Sequence, residues 1–241
     1  MATIVVAHGA WSGGWAWRKM RPIWTAAGHD LWTPTLTGLG ERGHLASPAV
    51  DLETHVRDVV GLLDCEDLQD VVLIGHSYGG MVATGVAQRR PERLCRLVYL
   101  DAFVPEPGQS LFELAPPEVA ARLRAAAVAE GEGWRIPPLP QPPDTSAEDV
   151  VYARPRRLPQ PIRTFEQPLP TSAIPPLPRA YLYCTRVGPE DGFRRFARRA
   201  ATEPGWTLRE LDASHSPHVT SPELLAAALE DLLRVAPGTR S

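Results

Sequence analysis

The sequence predicts an α/β fold class: a doubly wound, mostly parallel sheet with a small proline-rich cap inserted. Three observations predict it. Short apolar runs rich in β-branched and aromatic residues alternate with amphipathic stretches, the pattern of parallel strands joined by crossover helices. One run leads into Gly75-His76-Ser77-Tyr78-Gly79-Gly80 and then a helix-compatible segment. Most of the 26 prolines fall between Val104 and Pro178, where the alternation stops.

The expected strands, in order, are Thr3 to Ala7, Asp30 to Pro34, Val71 to Gly75, Arg96 to Leu100, Ala180 to Cys184 and Thr207 to Leu211. The clearest helix is Asp51 to Asp64: Asp51 suits an N-cap, and Leu52, Val56, Val59, Val60 and Leu63 recur on one face. Met81 to Arg90 reads as a second helix, stopped by Pro91. In the proline-rich stretch only Pro117 to Glu130 reads as helical, and proline removes the ladder donors that a sheet strand needs. The core is therefore expected over 1–104 and 179–241, with 105–178 as a cap over the C-terminal strand ends, where open α/β sheets bind ligands.

Composition narrows the function. A length of 241 residues suits one such domain, and 44% hydrophobic with 22% charged residues fits a globular chain. A net charge of -3 gives no electrostatic reason for a nucleic-acid partner, and no apolar run reaches the length of a membrane span. Cys65, Cys95 and Cys184 lack metal-site spacing and read as structural thiols. Met1 runs straight into the first strand without a secretory pattern, so the expected location is cytoplasmic. Lys19 is the only lysine, which reads as coding bias.

The chemistry sits in G-x-S-x-G between a strand and a helix. That turn strains the serine and lifts its hydroxyl out at a helix N-terminus, while side chains at Gly75 and Gly79 would strike neighbouring backbone. Ser77 is thus the candidate nucleophile, and the adjacent His76 points away from it and reads as a packing residue. Two oxyanion donors are required: the Tyr78 amide follows the nucleophile, and the Ala10 amide follows the first strand in His8-Gly9-Ala10-Trp11. The base belongs on the loop after the last strand, where His215 fits better than His218. For the acid, the loop after Cys184 offers no carboxylate before Glu190 and Asp191, whereas Asp101 ends a core strand. The residues favour Asp101 and leave Asp191 open.

With these residues placed, the chain resembles the plant methylesterase and hydroxynitrile lyase family of α/β-hydrolases and its bacterial esterase relatives, including pyrethroid-hydrolase-like enzymes. The resemblance rests on His8-Gly9-Ala10-Trp11 with Trp15 and Trp17, on the Ser77 motif, on Ala102-Phe103-Val104-Pro105, and on His215 with Pro222. The lyase members have a threonine where this chain has Gly9 and a lysine where it has Ser216, so the resemblance implies hydrolysis. The family's aspartate would fall near Val187 and cannot be carried over. Another branch, similar to haloalkane dehalogenases, places its acid after the strand that here ends at Asp101.

The expected activity is ester hydrolysis through an acyl-enzyme, with no metal or organic cofactor. The expected partner is a small or medium, partly apolar ester; a homodimer is left open. Gly9, Trp11 and Phe103 are expected around the substrate, with Phe112, Leu114 and Trp134 as cap wall. The alternatives are a lyase or biosynthetic enzyme on an aromatic or polyketide-like carbonyl compound and, outside catalysis, a ligand-binding protein on the same scaffold.

Overall fold

The computed structural model describes residues 1–173, 176–188 and 191–234. Strand β1 (Thr3–Ala7) is followed by helix α1 (Met20–Ala26), β2 (Asp30–Trp32), α2 (Leu52–Cys65), β3 (Val71–His76), α3 (Gly79–Arg89) and β4 (Leu94–Leu100). An excursion then holds α4 (Leu111–Leu114), α5 (Pro117–Glu130), β5 (Arg135–Ile136), α6 (Ala147–Ala153), β6 (Gln160–Pro161) and α7 (Arg163–Glu166). The chain returns through β7 (Arg179–Cys184), α8 (Arg194–Thr202), β8 (Trp206–Leu211), α9 (Pro217–Thr220) and α10 (Pro222–Arg234).

Six strands pair in parallel in the order β2-β1-β3-β4-β7-β8. Their period of two divides the core into two layers. Val5, Ala7, Leu73, Leu97, Tyr99 and Tyr181 face one side, with Val56 and Val59 of α2 and Met81, Val82 and Val86 of α3. Ile4, Val6, Val72, Ile74, Val98 and Leu182 face the other, against Trp17, Trp24 and Leu225 and Leu229 of α10. Strand order reverses beside β1, so the crevice beyond the ends of β1 and β3 is the topological switch point.

The elements depart from expectation at their ends. Strand β2 stops at Trp32, ahead of Pro34, because proline offers no ladder donor. Strand β4 starts at Leu94, two residues early, across a register shift between Val71 and Val72. Helix α3 starts at Gly79 rather than Met81, since the turn at Ser77 feeds straight into it. Asp51 caps α2 as read, accepting from the Thr54 amide at 3.0 Å.

The proline-rich excursion is more structured than expected. Helix α5 spans the residues read from the sequence, but α4, α6 and α7 are further single or double turns. The first two are fixed by local caps: Ser110 and Glu113 form a reciprocal capping box, and Ser146 accepts from the Asp149 amide. A two-stranded antiparallel ladder pairs Ile136 with Gln160 and Arg135 with Pro161. Proline enters this ladder at the residue whose missing N–H is not needed, and the next amide, Ile162, donates to the Trp134 carbonyl at 2.8 Å. Among the described residues no helix is long and apolar enough to cross a membrane.

Candidate active site

Strand β3 delivers Ser77 at φ +54°, in the left-handed region that costs a non-glycine residue energy. The glycines around it allow the turn. A Cβ on Gly75 would lie 2.7 Å from the Gly79 carbonyl oxygen, and one on Gly79 would lie 2.0 Å from that of Ala7. The Ser77 amide donates to Leu100 and its carbonyl accepts from Phe103, so the turn is tied to the end of β4 on both sides.

A hydrogen-bonded line runs from that serine. Ser77 Oγ lies 3.0 Å from His215 Nε2, and His215 Nδ1 lies 2.7 Å from Asp101 Oδ2. A carboxylate only accepts, so Nδ1 carries the proton and Nε2 is left to accept from the serine hydroxyl. Asp101 is 1% exposed and has φ +42°. Its Oδ1 accepts the Cys184 amide at 3.2 Å, and its own amide donates to Leu182 at 2.7 Å. The ring of Phe193 stacks on His215 with centroids 5.0 Å apart and planes 11° off parallel.

The other residues near the line have structural partners. Asp191 accepts from the Tyr183 hydroxyl at 2.6 Å, from the Phe193 and Arg194 amides and from the Arg194 side chain, with no bond to His215. Glu190 lies outside the described residues. His218 stacks on Trp17 at 4.5 Å, and burial pulls its pKa down to about 3. His76 Nε2 donates to the His215 carbonyl at 2.8 Å, holding the backbone of that loop. Burial first, and then the neighbouring imidazoles, hold His76 well below its ordinary pKa.

Ala10 and Tyr78 line the same cavity as Ser77, and among the described residues neither amide donates to another group of the chain. The Tyr78 side chain is anchored away from it: its hydroxyl donates to His55 Nδ1 at 2.8 Å, and His55 Nε2 donates to the Thr37 carbonyl. Burial lowers His55 to about 4, which keeps it neutral and able to accept.

Ser77, His215, Gly9, Ala10, Trp11, Tyr78 and Phe103 all line one cavity of about 340 Å³ between the strand ends and the excursion. The expected cap wall is corrected. Leu111, Leu123, Leu139 and Phe165 line the cavity, whereas Phe112, Leu114 and Trp134 do not. On the single turn of α4, Phe112 follows the cavity-lining Leu111 by about 100° of rotation. It packs edge-on behind Phe165 and beneath the Arg124 guanidinium. Trp134 lies in the turn before β5 under Arg135.

Sequence reasoning missed Phe165, Phe193, Gln160 and the contact made by Lys19. Lys19 Nζ binds Asp149 Oδ2 of α6 at 2.6 Å and the Val219 carbonyl of α9 at 3.0 Å, with Arg18 on the second carboxylate oxygen. The lone lysine thus ties the excursion to the histidine loop, and its singularity in the sequence was the available signal. Among the described residues no group of three or more His, Cys, Asp or Glu could hold a metal ion.

Comparison with known proteins agrees with this architecture. The profile of the alpha/beta hydrolase family matches residues 4–228. A carbendazim hydrolyzing esterase of Nocardioides sp. (strain SG-4G) is 41% identical over 241 residues, covering 96% of this chain and 100% of that protein. Salicylic acid-binding protein 2 of Nicotiana tabacum is 31% identical over 103 residues, 42% of this chain and 40% of its own length. An extracellular α/β-hydrolase from a Paenibacillus species superposes with a TM-score of 0.82 at 25% identity over 100% of both chains. The chain is therefore a member of the alpha/beta hydrolase family, among relatives that include bacterial esterases and plant methylesterases.

Proposed function

We propose that this chain is a serine-dependent carboxylic ester hydrolase acting through an acyl-enzyme. The observation that carries the reading is the unbroken line Ser77–His215–Asp101, open to an apolar-walled cavity at its serine end. The Ser77 oxygen attacks the ester carbonyl while His215 Nε2 takes the hydroxyl proton. Negative charge gathers on the former carbonyl oxygen, where the Ala10 and Tyr78 amides donate to it at the head of α3. The tetrahedral adduct collapses, and the alcohol leaves with the proton from His215. Water then gives a proton to His215 and attacks the acyl carbon, and as this second adduct collapses the acid is released and His215 hands the proton to the departing Ser77 oxygen. Asp101 holds the imidazole in the tautomer that accepts and stabilises it when charged.

The cavity favours a small or medium ester with an apolar acyl or alcohol group. Leu111, Leu123, Leu139, Phe165 and Phe193 supply its walls. The esterase name of the full-length Nocardioides relative supports the same reading. Hydrolysis of short-chain p-nitrophenyl esters by wild type beside Ser77→Ala tests it: turnover by wild type and none by the variant is expected. Equal turnover would remove Ser77 from the reaction.

A further inference from the structure

The Ala10 amide is one of the two proposed oxyanion donors, and the residue after it is held in an unusual way. Trp11 has φ +55°, a conformation that costs a bulky non-glycine residue about 1 kcal/mol or more. Two hydrogen bonds hold it there, and both come from the excursion between β4 and β7. The Trp11 amide donates to Gln160 Oε1 at 3.1 Å, and its indole Nε1 donates to the Ile136 carbonyl at 2.8 Å. Ile136 and Gln160 are paired neighbours in the β5–β6 ladder, so the two anchors form one rigid clamp.

Gln160 is fully buried, and its side chain has a single allowed orientation. Its Nε2 donates to Thr164 Oγ1 at 2.8 Å, and the Thr164 hydroxyl spends its own proton on the Pro161 carbonyl at 2.6 Å. A flipped amide would set NH2 against the Trp11 N–H and leave Thr164 Oγ1 facing an oxygen with no proton between them. The carboxamide oxygen therefore points at Trp11. The far side is packed as well: the Trp11 ring meets Phe165 edge-on at 6.0 Å, and Phe165 leans on Tyr78 at 5.4 Å.

We propose that Gln160 is a positioning residue of the oxyanion pocket: by fixing the Ala10–Trp11 peptide it restrains Ala10 from its C-terminal side and so, across that single Cα, limits the direction of the Ala10 N–H carried by the preceding Gly9–Ala10 peptide, so the pocket is complete only when the β5–β6 ladder is docked. Two consequences follow from the geometry. The Trp11 amide is occupied and does not compete as a donor to the substrate. The excursion does more than roof the cavity, because it finishes the electrostatic half of the site. This inference rests on the ester-hydrolase reading above.

The test is steady-state hydrolysis of p-nitrophenyl acetate by the full chain as wild type, Ser77→Ala, Gln160→Leu and Gln160→Glu. Gln160→Leu leaves the Trp11 amide unpaired, with only the indole bond to the Ile136 carbonyl still holding that residue. Its kcat should fall about 10- to 100-fold, less than the ~100- to 1,000-fold typical when an oxyanion donor is deleted, while KM stays within about twofold. Gln160→Glu keeps the shape, and only a neutral carboxyl can both accept from Trp11 and donate to Thr164. A carboxyl buried there favours the neutral form. The kcat of Gln160→Glu relative to wild type should therefore rise as pH falls from about 8 to 6.

A kcat for Gln160→Leu within twofold of wild type, or a loss confined to KM, would overturn the inference while Ser77 dependence stands. Should Gln160→Leu fail to fold, the Gln160→Glu ratio decides alone, and a ratio flat with pH overturns the proposal. No turnover by wild type, or full turnover by Ser77→Ala, would bring down the hydrolase reading and this inference with it.

Discussion

Replacing Asp101 with asparagine should damage catalysis through a tautomer rather than through a lost contact. In the structure one carboxylate oxygen of Asp101 accepts the Cys184 amide at 3.2 Å and the other accepts His215 Nδ1 at 2.7 Å. Asparagine has only one oxygen. The Cys184 amide is a fixed, buried donor that must keep an acceptor. The asparagine oxygen therefore turns to Cys184, and its NH2 turns to His215. An NH2 donates, so Nδ1 must give up its proton, which moves to Nε2 and faces Ser77 Oγ. The base is then protonated on the wrong nitrogen with its geometry intact. The analogous change in a serine protease triad lowers kcat about 10⁴-fold, which is about 5 kcal/mol at ~1.4 kcal/mol per tenfold. We expect a loss of that order in p-nitrophenyl ester hydrolysis, with KM within a few-fold and the thermal unfolding midpoint little changed. Asp191→Asn, which touches only Tyr183, the start of α8 and Arg194, should retain activity within about threefold, as for a residue outside the reacting line. An Asp101→Asn enzyme within tenfold of wild type, or an equal loss in Asp191→Asn, would refute the reasoning.

Other perturbations follow from the same contacts. Gly79→Ala places a Cβ 2.0 Å from the Ala7 carbonyl oxygen, against backbone that cannot yield without moving β1. It should cost about 3 kcal/mol or more in urea unfolding, or leave no soluble protein. Lys19→Met strips one of two cations from the 6%-exposed Asp149 side chain. Because the lysine is itself 35% exposed and Arg18 remains, the expected loss is about 1–2 kcal/mol rather than the ~3–5 of a fully buried pair. Its readout is the urea midpoint. Stability should also fall with acid: burial holds His8 and His55 at about 4 and His218 at about 3, against 6.5 for the exposed ring. Between those values the unfolded chain binds protons that the folded chain refuses. The contribution is thus fully present above pH 6.5 and is lost as pH falls toward 4 and then 3. Unfolding midpoints measured from pH 7.5 to 4 should decline steadily, and a flat profile would contradict the assignment of these imidazoles as neutral.

What the sequence revealed follows physical range. The strands were legible because each apolar run faces both layers of core, and the Ser77 turn because two glycines are required where a Cβ would strike backbone. Asp101 could be favoured but not chosen, since its link to His215 spans 114 residues and depends on strand order. The cap wall was misread for a related reason. Phe112 and Trp134 are large and apolar, but which face of a one-turn helix meets a cavity is decided by docking, and Phe165 occupies the place. The β5–β6 ladder was invisible because two residues per strand carry no period. Gln160 in particular gave no signal, for its role exists only through Trp11, far away in the chain.

The central claim is that Ser77 carries the acyl group. Wild type should be mixed with excess p-nitrophenyl acetate, quenched in acid within the first turnovers, and digested for mass spectrometry. The account predicts one acetyl group on the peptide containing Ser77, absent from Ser77→Ala and accumulating in His215→Ala only if attack still occurs. Product release with no adduct on Ser77, or with undiminished turnover in Ser77→Ala, would contradict it.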